Sequence, residues 1–347
     1  MHAIMGALDV HILTWRRPDA FNLLWTSLQA TLPPTVPIIC TVHQDGMPDL
    51  LTASPDQVNA DWTRQRDMLL ELKELHGQRI HLDLQVTARG LKNSMLSITP
   101  SRGSCGMILL EDDLEVSPLL LRFAEAFARR YGPSDADGRV LGVNLFTHVS
   151  DDISKLERPS STSRRLSRPD GPYATSVPSS WGALYLGDSF SQFTWWVLYR
   201  HGLGRDPKFP SDMAQLNKWP AHSSWKKYLV AFMRACARYM VEVRFDNATL
   251  ITNQVRGGVH FNDAQAKAQR WALAPAPLLQ ATDLPRLGQS GLSPQAVLSS
   301  AAFSPARLPV YNLTQRLVPG ATLATMRHSG CPQVALIGNS SRRPPGG

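Results

Sequence analysis

The chain has 347 residues, 43% of them hydrophobic and 8% aromatic, which is enough apolar material for one large core or two fused lobes. Its net charge of +8 is scattered along the sequence with no basic helix or finger motif, which argues against a nucleic-acid binder and suits an anionic ligand or plain solubility. No run approaches the ~18 apolar residues of a membrane span, and the amino end lacks a basic-then-apolar signal, so the chain as given is expected to be soluble, with any anchor or signal lying elsewhere.

Leu8 to Thr14 is rich in strand formers, and after Trp15-Arg16-Arg17 a helix opens at Pro18 with Phe21, Leu24, Trp25 and Leu28 at helical spacing. Pro37 to Val42 predicts a second strand closing on the turn signal His43-Gln44-Asp45-Gly46. A helix joins these two strands, which is the unit of a parallel sheet. Ser54-Pro55-Asp56-Gln57 caps a further helix whose apolar stripe is Val58, Trp62, Leu69, Leu72 and Leu75. Ile80 to Val86 alternates as a third strand, and Arg89-Gly90-Leu91-Lys92-Asn93 leads into a short helix.

The next stretch, Gly106-Met-Ile-Leu-Leu-Glu-Asp-Asp-Leu-Glu-Val-Ser-Pro118, organises the rest. Met107 to Leu110 reads as a strand buried on both faces, and it runs directly into Glu111, Asp112 and Asp113. In open α/β sheets the carboxyl end of a strand is where ligands bind. Three adjacent carboxylates repel one another, so a divalent cation or the hydroxyls of a ligand would hold them together; the alternative is that they cap the helix expected to start at Ser117-Pro118. Residues of ligand type follow every strand up to this point: Arg16 and Arg17, Asp45, Arg89 and Lys92, then the acids.

Beyond it, a helix from Pro118 to Tyr131 and a strand from Val140 to Phe146 are expected, then a mobile surface loop over 150–172 carrying Arg158, Arg164, Arg165 and Arg168. A short strand resumes after Trp181-Gly182, followed by an aromatic helix and, after Lys218-Trp219-Pro220, a helix opening at Trp225-Lys226-Lys227. Val241 to Phe245 is the last strand expected, and Gly257-Gly258-Val259-His260 allows close backbone approach to a ligand. From about residue 275 the Pro, Ala and Ser content predicts a loosely packed tail. Cys40, Cys105 and Cys236 are expected to be buried free thiols, and the sequons at Asn247, Asn312 and Asn339 matter only in a secretory lumen.

This order of elements resembles the GT-A glycosyltransferases. The resemblance rests on Thr14-Trp-Arg-Arg-Pro18, on Gln44-Asp45-Gly46 and on Glu111-Asp112-Asp113, each at the end of a strand, and spans residues 8 to about 265. The Glu-Asp-Asp-Leu-Glu-Val run, Gln-Asp, and Trp-Pro before a Trp-containing helix are similar to Golgi β-1,2-N-acetylglucosaminyltransferases, and Ser180-Trp-Gly182 and Ser224-Trp-Lys-Lys227 to plant and algal family 2-like glycosyltransferases. The resemblance implies a single α/β domain, a Rossmann-like, mostly parallel sheet flanked by helices, with a nucleotide-sugar half (8–120), an acceptor half (121–274) and the tail (275–347). It implies a metal-dependent, inverting transfer from a nucleotide-sugar donor to a glycan or other hydroxyl acceptor, in a Golgi or secretory lumen.

On the same basis Arg16 or Arg17, Asp45, Arg89, Lys92, Glu111, Asp112, Trp181 and Lys226 would line the donor site, and Asp113 with His260 would hold Mn2+ or Mg2+. One departure is chemical. Where the N-acetylglucosaminyltransferases carry a catalytic Asp, this chain has Trp225-Lys226-Lys227, which leaves Asp212 as the candidate base, or a silent carbohydrate-binding or scaffold protein on the same fold. A nucleotidyltransferase is the other rival, and the absence of glycine between Thr14 and Asp19 counts against its phosphate loop.

Overall fold

The computed structural model describes residues 6–47, 55–132, 138–146, 172–202, 206–209, 214–218, 224–243, 245, 249–253, 278–280, 303–311 and 317–326. The chain opens with β1 (Leu8–Thr14), α1 (Pro18–Gln29), β2 (Ile38–Gln44), α2 (Pro55–His76), β3 (Ile80–Leu84), α3 (Gly90–Ser97) and β4 (Gly106–Glu111). These four strands lie in the order β4-β1-β2-β3, all parallel, because each is joined to the next by a helical crossover. Their carboxyl ends at Thr14, Gln44, Leu84 and Glu111 therefore share one rim, as the sequence predicts.

The second half is built differently. A three-residue β5 (Leu114–Val116) leaves the main sheet and pairs antiparallel with β10 (Ile251–Asn253). After α4 (Leu120–Tyr131), β6 (Val140–Asn144) and β7 (Tyr173–Thr175), the strand β8 (Ala183–Leu186) inserts antiparallel between β4 and β6. Following α5 (Ser189–Gly202), α6 (Ala214–Asn217) and α7 (Trp225–Ala235), β9 (Tyr239–Glu242) pairs parallel with β6 and antiparallel with β7. The result is a ten-stranded mixed sheet with helices on both faces.

Alternation along the strands divides the core in two. Val10, Ile12, Val42, Ile108 and Leu110 pack with Phe21 and Leu24 of α1 and Phe123 and Phe127 of α4. Leu13, Met107 and Leu109 point the other way, onto Met95 of α3, Phe190, Phe193 and Trp196 of α5, and Trp225, Leu229 and Phe232 of α7.

Several sequence expectations give way to this packing. Leu75 and Val86 are 77% and 79% exposed, so the stripe of α2 ends at Leu72 and β3 stops at Leu84. Helix α4 starts at Leu120 with Leu119 as its cap residue and no acid in its first turn, while Ser117 Oγ accepts from Leu119 N–H; none of the three acids caps it. Cys40 and Cys105 are free, but Cys236 is disulfide-bonded. Within the stretch expected to be a loose tail, β11 (Pro309–Tyr311) pairs with β7 and β12 (Leu317–Thr322) pairs with β11, forming one edge of the main sheet. Phe303, Leu308, Val310 and Leu323 belong to the core, and Tyr131 donates its hydroxyl to Phe303 O at 2.6 Å.

Candidate functional site: an acidic turn at the strand rim

The strand β4 delivers Glu111 to the rim, and a tight turn, Asp112-Asp113, follows before β5 begins. Asp112 is fully buried. Its N–H donates to Leu13 O at 3.1 Å and its carboxylate accepts from Thr14 Oγ1 at 2.7 Å and from a backbone N–H at Trp15, so the end of β1 grips it from below. Arg17, the residue before α1, lies across the turn: its guanidinium pairs with Asp112, and its Nη1 donates to Asp113 Oδ2 at 2.8 Å. Pro18 at the first helical position fixes where this arginine leaves the chain.

Burial and mutual repulsion work against ionisation here. Loss of water, then Asp113 and Asp112, push Glu111 up to about 8. Burial raises Asp112 to about 6, against the pull of the Arg17 cation and the Thr14 hydroxyl. Lys226, 7% exposed in the first turn of α7, acts on Glu111 as a nearby positive charge. Ser224 Oγ caps that turn by accepting from Lys227 N–H, and Lys227 is itself 4% exposed. Lys92 of α3 is also buried, with its ammonium 5.1 Å above the ring of Tyr228, whose hydroxyl donates to Asp206 at 2.7 Å.

Asp45 stands on the same rim with another task. Its Oδ1 accepts from Gly46 N–H at 2.9 Å and Arg89 N–H at 2.7 Å, and its Oδ2 from Gly90 N–H at 2.9 Å. The carboxylate thus ties the turn after β2 to the start of α3. Gly46 is required because a Cβ there would fall 2.1 Å from the carbonyl carbon of Thr87, and Gly90 turns the chain with φ +74°. Trp15 Nε1 donates to Gly46 O and Trp62 Nε1 to Asp45 O, each at 3.0 Å, clamping the turn from both sides.

Of the residues proposed from sequence, Arg17, Glu111, Asp112, Asp113 and Lys226 come together. Arg16 turns away onto the ring of Trp15, its guanidinium carbon 4.4 Å from the ring centre. Arg89 contributes its backbone to Asp45 and is exposed. Trp181 is half-buried, edge-on to Phe146 at 4.9 Å, and packs against the core. Asp212, His260, Trp219-Pro220, the three sequons and nearly all of the 150–172 loop lie outside the described residues. Thr14 enters the sequence reading only as the end of the first strand and the start of a motif, not as a site residue; in the structure this last residue of β1 lands beside the acidic turn.

Among the described residues no group of three His, Cys, Asp or Glu side chains is arranged to hold a metal. One observation fits a cation nonetheless: Asp113 Oδ1 is buried with no hydrogen-bond partner, while Oδ2 accepts a hydrogen bond from Arg17. A hard oxygen of this kind is the type of ligand that Mn2+ or Mg2+ takes.

No protein-family model matches the chain, and no curated protein matches it in sequence. Among solved structures it is similar to residues 1–349 of S. aureus TarS, at TM-score 0.39 and 11% identity over 72% of this chain and 60% of that one. It is similar to the same fragment in complex with UDP-GlcNAc, at 0.35 and 13% over 70% and 57%, and to GalNAc-T7 with UDP, GalNAc and Mn2+, at 0.39 and 12% over 69% and 42%. The chain thus spans less than two thirds of the length of each.

Proposed function

We propose that this chain is a GT-A glycosyltransferase that uses a nucleotide-sugar donor. The observation that carries the reading is the acidic turn at the shared rim of β4-β1-β2-β3, held by Thr14 and Arg17 and faced by Lys226. A rim of carboxylates and cations at the ends of parallel strands suits a metal-chelated diphosphate better than an apolar ligand. Asp113, supported by Asp112, would hold Mn2+ or Mg2+, and the cation would offset the charge that develops on the departing diphosphate. Lys226 and Lys92 add fixed positive charge on the α7 and α3 side, where phosphate oxygens would lie. Asp45 serves the donor by positioning α3 rather than by offering a free carboxylate. We infer Asp212 as the catalytic base, a glycan or another hydroxyl compound as the acceptor, inverting transfer, and a secretory lumen or the Golgi as the setting in which the sequons would be used.

Lys226 and Lys227 favour a second reading. Two buried lysines stand where the resemblance would place the catalytic acid, which suits a catalytically silent carbohydrate-binding or scaffold protein on the same fold. A thermal-shift panel of sugar nucleotides with and without Mn2+ tests donor binding, and release of nucleoside diphosphate separates the two readings, since a silent protein releases none. No stabilisation by any sugar nucleotide in the presence of Mn2+ would overturn the transferase reading.

A further inference from the structure

Arg17 bridges Asp112 and Asp113 as a dication would. Its side chain is 24% exposed, against 0% and 16% for those of its two partners, so it covers the acidic turn on its outer side. Arginine stays charged at every working pH, and so it does not leave these carboxylates by losing its own proton. A metal arriving on Asp113 would sit against that fixed positive charge, and like charges this close repel strongly. Removing Arg17 with nothing in exchange would leave the buried Asp112 carboxylate with the Thr14 hydroxyl and the Trp15 N–H but no countercharge. A diphosphate resolves the first difficulty, since it offers the guanidinium a bidentate anion next to where it already stands, and a metal beside Asp113 would resolve the second by supplying the countercharge.

We propose that Arg17 couples metal binding to diphosphate binding: it holds Asp112 and Asp113 together in the free protein and passes to the donor diphosphate as the metal takes its place. The inference rests on the glycosyltransferase reading and adds to it the residue that makes the two ligands interdependent. By linkage each ligand tightens the other by the same factor.

The test is binding, without turnover. Mn2+ affinity is measured by the paramagnetic signal of the free ion, alone and with saturating UDP or GDP, in the wild type, Arg17→Gln and Arg17→Lys. The wild type should bind Mn2+ weakly alone and about tenfold or more tightly with the diphosphate, a typical size for such coupling. Arg17→Gln should bind Mn2+ alone more tightly than the wild type and show weaker coupling, the remainder being the direct attraction of metal and diphosphate. Arg17→Lys, which keeps the charge but not the fork, should fall between and serves also if the Gln variant does not fold. Wild-type coupling in both variants would overturn the role of Arg17 and leave the donor reading intact. A wild type that binds neither nucleotide with Mn2+ present would remove the reading and this inference with it.

Discussion

Asp113 concentrates the functional reading in one side chain. It does not cap α4, which begins at Leu120 with no acid in its first turn, so the charge at this position has no helix to stabilise. Asp113→Asn keeps the shape and loses the charge, and folding stability should change by no more than about 1 kcal/mol, the scale of a partly exposed ion pair. Mn2+-dependent release of nucleoside diphosphate should fall by ~10² to 10³. Melting temperature and turnover measured on one preparation decide it: an early-melting variant with full turnover would make the residue structural. A second prediction concerns the buried pair His11 and His43. His43 Nδ1 bonds Asp83 at 3.0 Å and its Nε2 meets His11 Nδ1 at 2.9 Å, so His43 donates to Asp83 and accepts from His11. Burial, with His43 adding to it, lowers His11 to about 3. An unfolded histidine takes up a proton below ~6.5 while native His11 does not, so the unfolded state binds more protons across that window. Stability present at neutral pH is therefore lost as acid is added, at about 1.4 kcal/mol per pH unit for this group. Urea midpoints at pH 6.5 and 4.5 should show His11→Gln losing less than the wild type by about 2 kcal/mol; parallel losses would show that His11 does not set the acid limb.

At the scale of elements, Asp45 links a turn to a helix. Asp45→Ala would leave the N–H groups of Arg89 and Gly90 without their acceptor, costing about 1–2 kcal/mol and loosening the start of α3. Nucleoside diphosphate affinity should then fall in step with stability. A variant of wild-type stability that no longer binds nucleotide would restore the direct contact expected from sequence. The elements themselves were unevenly legible. Strands β1, β2 and β4 were readable because each is a run of apolar residues next to a helix with clear spacing, and the crossovers fixed them as parallel neighbours. The antiparallel insertion of β8 between β4 and β6 was not, since four residues, Ala-Leu-Tyr-Leu, carry no period that names a partner. Among site residues the acids were visible from their crowding beside a buried strand. Arg17 was one of two equal candidates, and only the geometry of the turn separates it from Arg16, which lies on Trp15.

For the whole molecule, the decisive feature is that residues distant in sequence complete one edge of the main sheet and seat the small β5-β10 sheet. Leu279 N–H donates to Thr249 O at 2.8 Å, Ser117 Oγ reaches Leu279 O, and β11 and β12 extend the sheet beyond β7. Composition alone suggested a loose tail because Pro, Ala and Ser dominate it, yet a three-residue strand needs only one inward side chain to join a core. Val310 is that side chain: it is 1% exposed and lies opposite Ala174 in the parallel pairing with β7. Val310→Asp would bury a carboxylate among Leu308, Phe303 and the sheet, where it must either stay charged without water or take up a proton, and the cost should exceed ~4 kcal/mol. Ala306→Asp, at an exposed position four residues earlier, adds the same charge and should change stability by no more than about 0.5 kcal/mol. Guanidinium unfolding of both variants compares them directly. Equal midpoints would mean that the segment does not share the stability of the sheet, whereas a low midpoint for Val310→Asp alone places the rim and this far edge in one cooperative unit.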